Sequence, residues 1–205
     1  MTPVPPGSRR AVVIGYGNPL RRDDGVGWHV ARALAADPRA IGLAVIAAHQ
    51  LTPEYAEDVH QARMTILVDA KVDGAPLPPG YCTISAVEPP PAEASASAAG
   101  AVSSHHCTPE SLATMARDLY GSAGPVIVVG VSVSSVAAGE LPTPQVARAI
   151  PFVVDLVLQL ARPCGAASSG VSAVRAGSSM ITRTDRLSKR YGGHVALDGV
   201  ERAVP

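Results

Sequence analysis

Residues 11–27 read AVVIGYGNPLRRDDGVG, and this stretch decides the fold class of the chain. Its first six residues are a short β-branched run that closes on Gly15 and Gly17, the pattern of a fully buried strand ending in a tight turn. Asp23 and Asp24 follow where a helix begins, since acidic residues suit a helix start through capping and the helix dipole. The stretch therefore predicts a strand, a glycine turn and a helix.

The same alternation continues to residue 161. Further strands are predicted over about 42–48, 64–68, 81–87 and 125–133, and helices over about 25–36, 53–61, 108–120 and 143–161. Strands that alternate with helices imply an α/β fold, with a mainly parallel sheet covered on both faces. Such sheets place their working residues beyond the carboxyl ends of the strands.

Composition separates the 205 residues into two parts. The whole chain is 47% hydrophobic, with 17 basic and 17 acidic residues, which argues against a nucleic-acid binder that depends on a basic field. Residues 1–161 carry 10 Lys/Arg against 14 Asp/Glu, whereas residues 162–205 carry 7 against 3. We expect one domain over 1–161, a flexible Gly/Ser/Ala-rich linker over 162–180 and a separate tail over 181–205.

The cysteines and the apolar runs indicate the compartment. Cys82, Cys107 and Cys164 are an odd number without CxxC spacing, so neither a disulfide framework nor a thiolate zinc site is expected. The amino terminus lacks the apolar core of a signal peptide, and no run reaches the about 18 apolar residues of a membrane span. We expect a cytoplasmic monomer.

Three places are candidates for chemistry: the adjacent acids Asp23 and Asp24 at the first helix entry, Asp69 at a strand's carboxyl end, and the run His105-His106-Cys107 before a later helix. Taken singly, they also fit a helix cap, a strand terminator and an exposed turn. No dinucleotide fingerprint, P-loop, HExxH or GxSxG motif is present. Two carboxylates and an imidazole from separate strand ends would converge on one edge of the sheet. That ligand set suits a borderline divalent ion such as nickel or zinc and leaves coordination positions open.

The first motif, IGYGNPLRRDDGVG at 14–27, strongly resembles the opening of the nickel–iron hydrogenase maturation proteases. These endopeptidases trim the carboxyl terminus of the hydrogenase large-subunit precursor. Weaker matches follow in the family's order: 49–58, 68–70, Ser104-His105 with Leu112, Ala113 and Ala116, and Gly130 to Ala161. The resemblance spans about residues 10–161.

The resemblance implies a three-layer α/β/α sandwich with a twisted sheet of about five strands. It implies a peptidase in which Asp24, Asp69 and His105 are the catalytic positions and contact nickel. The nickel is already installed in the precursor, so it arrives with the substrate and is not permanently bound. Many family members have glutamate where Asp24 stands. The doublet His105-His106 leaves two registers, of which the downstream leucine and alanines favour His105.

Several alternatives stay open at this level. The group that activates the attacking water is Asp23, Asp69 or a hydroxide on nickel. The same residues would also fit a non-catalytic nickel-binding maturation factor, or a hydrolase of the same fold with another substrate. The low-complexity loop Glu88–Val102 is a hypothetical flexible rim that admits the precursor tail.

The tail has a resemblance of its own. Residues 185–200 look like the first two strands of an ABC-transporter ATPase domain, which implies that Tyr191 occupies the position of the adenine-stacking tyrosine. No Walker A loop follows, so no phosphate cradle and no ATP hydrolysis are expected. We expect a fused or truncated fragment, poorly packed on the main domain.

Overall fold

The computed structural model describes residues 10–72, 77–87 and 107–162, together with the backbone of 189–191 and 194–197. The chain divides into two compact units, Met1–Ala161 and Arg162–Pro205. Within the described ranges the strands of the first unit are β1 (Ala11–Tyr16), β2 (Ala44–Ala48), β3 (Met64–Lys71), β4 (Cys82–Val87) and β5 (Val126–Ser132). Its helices are α1 (Val26–Ala35), α2 (Tyr55–Gln61), α3 (Pro109–Tyr120) and α4 (Pro144–Leu160), with 3₁₀ turns at Arg22–Gly25 and Pro38–Ala40.

The five strands form one sheet in the order β2-β1-β3-β5-β4. The pairs β1–β2, β1–β3 and β3–β5 are parallel, and β4 runs antiparallel to β5 at the sheet edge. The prediction of a mainly parallel sheet of about five strands is confirmed. From β1 the chain moves outward to β2 and then crosses to the other side of β1 to form β3, so the topological switch point lies between β1 and β3. In open α/β sheets, ligands bind outside the carboxyl ends of the strands at such a point.

Helices cover both faces of the sheet, which gives the expected three layers. Helices α1 and α4 pack together on one side, and α2 and α3 pack together on the other. On the α2–α3 side, Val12 and Ile14 of β1 form a buried cluster with Leu67, Leu112 and residues of both helices. Because β1 and β3 are buried on both faces, their sequences are continuous apolar runs rather than alternating ones.

Helix α3 begins where the sequence places it, at Thr108. The Thr108 hydroxyl accepts a hydrogen bond from the Ser111 amide at 3.2 Å, and the Thr108 amide donates to the Ser111 hydroxyl at 2.8 Å. This reciprocal capping box satisfies donors that the helix cannot pair internally. Gly121 ends the helix with φ +83°, a left-handed conformation that favours glycine.

The second unit contributes two described strands, β6 (Lys189–Tyr191) and β7 (His194–Leu197), which pair antiparallel. Residues 163–180 of the predicted linker lie outside the described residues, and the ABC-ATPase resemblance of the tail stays a prediction. Among the helices that the structure describes, none has the length and apolarity to cross a membrane. Cys82 and Cys107 are free thiols.

Candidate active site

Tyr16 and Asp69 lie side by side at the carboxyl ends of β1 and β3. Gly15 pairs with Val68 in the parallel register, so the next residue of each strand occupies the next position along the pair. The Tyr16 hydroxyl donates a hydrogen bond to the Asp69 carboxylate, and so does the Ala70 amide. The topological switch point therefore holds an acid with two defined donors.

Burial dominates the electrostatics of this pair. It raises the pKa of Asp69 to about 6, and the negative charge of Asp24 adds to the shift, whereas the hydrogen bonds from Tyr16 and Ala70 oppose it. Burial, together with the Asp69 charge, also raises the pKa of Tyr16 well above its usual value. Near neutral pH, Tyr16 is thus a protonated donor and Asp69 is mostly ionised, at an energetic cost.

Asp24 reaches the same edge from the loop after β1. The Asn18 amide donates a hydrogen bond to Asp24 Oδ2 at 3.2 Å, and Asp24 is close enough to Asp69 for its charge to act on that carboxyl. Two acids that lie 45 positions apart in the sequence are therefore near enough in space for the charge of one to act on the other.

The glycines of the first motif make this approach possible. A Cβ built on Gly27 would overlap the carbonyl oxygens of Val68 and Tyr16, and one built on Gly17 would overlap the carbonyl oxygen of Asp24. Gly17 also has φ +131°, which side chains disfavour. The start of α1 consequently rests directly on the ends of β1 and β3. The motif superficially resembles a nucleotide loop, but its glycines serve close backbone packing.

Asp23, the other acid of the motif, is fully buried in a different set of contacts. Its carboxylate accepts hydrogen bonds from the amides of Ser134, Ser135 and Thr143 at 3.2, 3.1 and 2.6 Å. The hydroxyls of Ser134 and Thr143 add two more at 3.3 and 3.0 Å. Burial opposes ionisation, but these donors outweigh it and lower the pKa of Asp23. Asp23 therefore ties the β1–α1 loop to the β5–α4 loop, and its oxygens are engaged there rather than available to a water molecule.

The third predicted position, His105, lies outside the described residues, as do His106 and the loop Glu88–Val102. Among the residues that the structure describes, no three His, Cys, Asp or Glu side chains are grouped to hold a metal ion. Asp24 and Asp69 thus supply two donors, and the contribution of His105 stays a prediction.

Cys107, next to the histidine doublet, is a poor nucleophile in this setting. Burial raises the pKa of its thiol, its Sγ lies 3.6 Å from the Ser111 hydroxyl, and the charge of Glu54 also disfavours the thiolate. A thiol that stays protonated near neutral pH reacts slowly. The structure gives thiol chemistry here no support.

Tyr16 is a residue of this site that the sequence patterns do not reveal, because they place it only at the end of a strand. A polar aromatic residue at the carboxyl end of a strand, next to an acid at the end of the neighbouring strand, was the available signal. Reading that signal required the pairing of β1 with β3, which are separated by β2 and α2 in the chain.

The chain matches no protein-family model and no curated protein sequence. It is similar to solved structures of maturation peptidases. The hydrogenase 2 maturation peptidase from Thaumarchaeota archaeon SCGC_AB-539-E09 is 25% identical, with 74% of this chain and 97% of that chain covered and a TM-score of 0.55. The hydrogenase maturating endopeptidase HybD from E. coli is 22% identical, with 73% and 90% covered and a TM-score of 0.56.

A third solved structure, the [NiFe] hydrogenase maturation protease HycI from Thermococcus kodakarensis KOD1, is 21% identical, with 74% and 91% covered and a TM-score of 0.55. HybD and HycI show the shared fold, and the 25% identical peptidase bears out the predicted enzyme class, a peptidase. The chain thus has the fold of the hydrogenase maturation proteases, and the resemblance that its first motif predicts is confirmed.

Proposed function

We propose that this chain is the endopeptidase that recognises nickel in a nickel–iron hydrogenase large-subunit precursor and removes the carboxy-terminal extension of that precursor. The observation that carries the proposal is that Asp24 lies near enough to Asp69, at the switch point of a maturation-protease fold, for its charge to act on that carboxyl. Each acid stands at the position that the family motif assigns to a nickel contact.

The charge arrangement supports recognition of a cation. Burial makes the negative charge of Asp69 costly, and the charge of Asp24 adds to that cost. A divalent cation relieves both effects. Oxygen and imidazole donors suit a borderline ion, and a site with so few protein donors leaves positions for ligands from the precursor. Nickel is in this proposal part of the substrate, and cleavage becomes conditional on its insertion.

The Asp23 network narrows the candidates for the group that activates water. Five hydrogen bonds occupy the Asp23 carboxylate in a buried position between two loops. This favours Asp69 or a hydroxide on the precursor's nickel as the activating group. A carboxylate with a pKa of about 6 in the free enzyme is suited to general-base work near neutral pH.

The decisive experiment incubates purified nickel-loaded precursor with the wild-type chain and follows the mass of the large subunit. We expect loss of the carboxy-terminal extension, and a fall in rate of about 100-fold or more for Asp24→Ala and His105→Ala. His106→Ala and Asp118→Ala, an exposed acid on α3, are controls that keep most of the rate. Circular dichroism verifies that each variant is folded.

The other outcomes distinguish the alternatives. An unchanged precursor mass with retained binding indicates a nickel-binding maturation factor without catalysis. Cleavage of substrates that contain no nickel indicates a hydrolase of the same fold with another substrate. Normal processing by Asp24→Ala or His105→Ala would refute the assignment of the site.

A further inference from the structure

Exposed large apolar side chains are distributed unevenly over the described residues. Three of the eight lie toward the amino ends of the strands: Ile41 before β2, and Leu119 and Tyr120 at the end of α3. The other five lie on segments at the carboxyl ends of the parallel strands: after β1, between β3 and β4, and after β5. We call these five residues the apolar margin: Leu20, Val72, Leu77, Val136 and Leu141. The apolar margin thus lies at the same edge of the sheet as Asp24 and Asp69.

Hydrogen bonds connect two loops of the apolar margin, the one after β1 and the one after β5. The Gly139 amide donates to the Leu20 carbonyl at 2.9 Å, and the Arg22 amide donates to the Gly139 carbonyl at 2.7 Å. Arg21 Nε donates to the Val136 carbonyl at 3.3 Å. The buried Asp23 carboxylate also connects the two loops, because it accepts a hydrogen bond from the Thr143 amide. Although these hydrogen bonds connect the two loops, Leu20 is 60% exposed and Leu141 is 78% exposed.

A grouped set of exposed apolar residues on an ordered surface is typical of an interaction site. Loops whose backbone is already held in place lose less conformational freedom when a partner covers them than unrestrained loops do. The loops that carry Leu20, Val136 and Leu141 are tied to each other by these hydrogen bonds, so the exposure of these three residues does not reflect an unrestrained chain.

Charge identifies the kind of partner. The edge that the margin borders carries Asp24 and Asp69, and Glu110 lies near enough to Tyr16 for its charge to act on the phenol. An acidic centre bordered by apolar side chains complements a partner with a cationic centre and apolar surroundings. A polypeptide that holds a metal ion beside an apolar segment has this chemistry. A free metal ion does not, because it gains no favourable interaction from the apolar side chains of the margin.

We propose that the apolar margin docks an apolar polypeptide segment of the metal-bearing precursor next to the point of cleavage. The inference rests on the proposed function and adds a binding surface that the carboxylate pair does not supply. Docking at the margin sets substrate affinity, and the carboxylate edge carries out recognition of the cation and the chemistry.

The test compares two double variants of the full chain on nickel-loaded precursor. Leu20→Gln with Leu141→Gln removes apolar surface from the margin. Ile41→Gln with Leu119→Gln is the matched control, because these residues are 89% and 69% exposed and lie at the opposite end of the sheet. All four side chains are exposed, so each double variant should fold, as thermal unfolding by circular dichroism verifies.

We expect the margin variant to raise KM at least tenfold with kcat within twofold of wild type, and the control to change neither. A wild-type KM in the margin variant, or an equal rise in the control, would overturn the docking surface while processing by the wild-type chain upholds the proposed function. If the wild-type chain neither binds nor cleaves the precursor, the proposed function fails, and this occupant of the margin fails with it.

Discussion

Asp69 is an acid whose surroundings favour its neutral form. Burial and the charge of Asp24 raise its pKa to about 6, against the hydrogen bonds from Tyr16 and Ala70. A carboxyl whose pKa rises on folding binds its proton more tightly in the native state than in the unfolded state. Ionisation of Asp69 therefore lowers the free energy of unfolding, and a bound cation would offset this loss.

The cost predicts how Asp69→Asn behaves in the metal-free protein. Relative to the variant, the wild-type chain should lose unfolding free energy as pH rises from about 4 to about 6, by an amount on the order of 1–3 kcal/mol. Above about pH 7, where Asp69 is ionised in both states, the difference should stay constant, with Asp69→Asn the more stable protein. Urea unfolding of both proteins across this pH range measures it. A difference that does not depend on pH would contradict the raised pKa.

Among the elements, the first motif has a structural role as well as a chemical one. It packs the loop after β1 and the start of α1 against neighbouring parts of the chain. The loop after β1 carries Asp24 to the site, and the network around Asp23 holds that loop to the one before α4. Glycines let α1 begin against the strand ends. The position of Asp24 is thus a property of two loops and one helix.

The hydrogen bonds that the charged Asp23 carboxylate accepts should contribute to the free energy of unfolding. Asp23→Asn replaces an oxygen that receives N–H and O–H donors by an amino group, so we expect a loss of about 2–4 kcal/mol of unfolding free energy. Asp118→Asn, which removes a carboxylate that pairs with Arg117 on the exposed surface of α3, should cost less than about 1 kcal/mol. Chemical denaturation compares them, and similar losses in both variants would contradict the structural role of Asp23.

The close approach of α1 predicts a large effect of a single methyl group. Gly27→Ala places a Cβ on the backbone carbonyls of Val68 and Tyr16, which cannot move without shifting the sheet. We expect a loss of about 3 kcal/mol or more, or failure to fold. Gly121→Ala is the control, because no heavy atom lies within 4 Å of its Cβ and only its φ of +83° is unfavourable, at about 1 kcal/mol. Thermal and urea unfolding give both values. Equal stability of the two variants would refute the packing role of Gly27.

At the scale of the molecule, the chain consists of two units with different composition. The division after Ala161 lies where the charge balance changes sign in the sequence. The buried apolar residues of the described chain run from Ala11 to Ala161. The Ala161 carbonyl still accepts a hydrogen bond from the Arg63 guanidinium, so the end of α4 is tied to the start of β3. The monomeric state, the cytoplasmic location and the role of the tail stay predictions.

This organisation predicts that residues 1–162 fold alone. A fragment that keeps Ala161 and Arg162 retains the core and the Arg63 contact, so its unfolding midpoint should lie within about 2 °C of that of the full chain. Thermal unfolding followed by circular dichroism measures the midpoints. A fall of more than about 5 °C would show that residues after 162 stabilise the first unit. Strong hydrogen-exchange protection of residues 181–200 in the full chain would refute the prediction of a poorly packed tail.

Local patterns in the sequence were sufficient for the elements and for the places where candidate acids stand. Buried parallel strands need continuous apolar residues, and turns and helix starts need glycine or acidic residues, so 11–27 already shows a strand, a turn and a helix start. The adjacent acids Asp23 and Asp24, and Asp69, follow from the same patterns, because each place lies where an element ends or begins. These features depend on residues that are neighbours in the chain.

The resemblance of the first motif already implied Asp24 as the site acid, but only the tertiary structure showed that its neighbour Asp23 is buried. Without that resemblance the residue pattern does not separate the two acids, because both stand at the helix entry. The donors that hold Asp23 come from Ser134, Ser135 and Thr143, more than 100 residues later. The hydrogen bond from Tyr16 to Asp69 likewise required the β1–β3 register. The physical reason is that hydrogen bonding and burial depend on distance in space, which the order of residues along the chain does not contain.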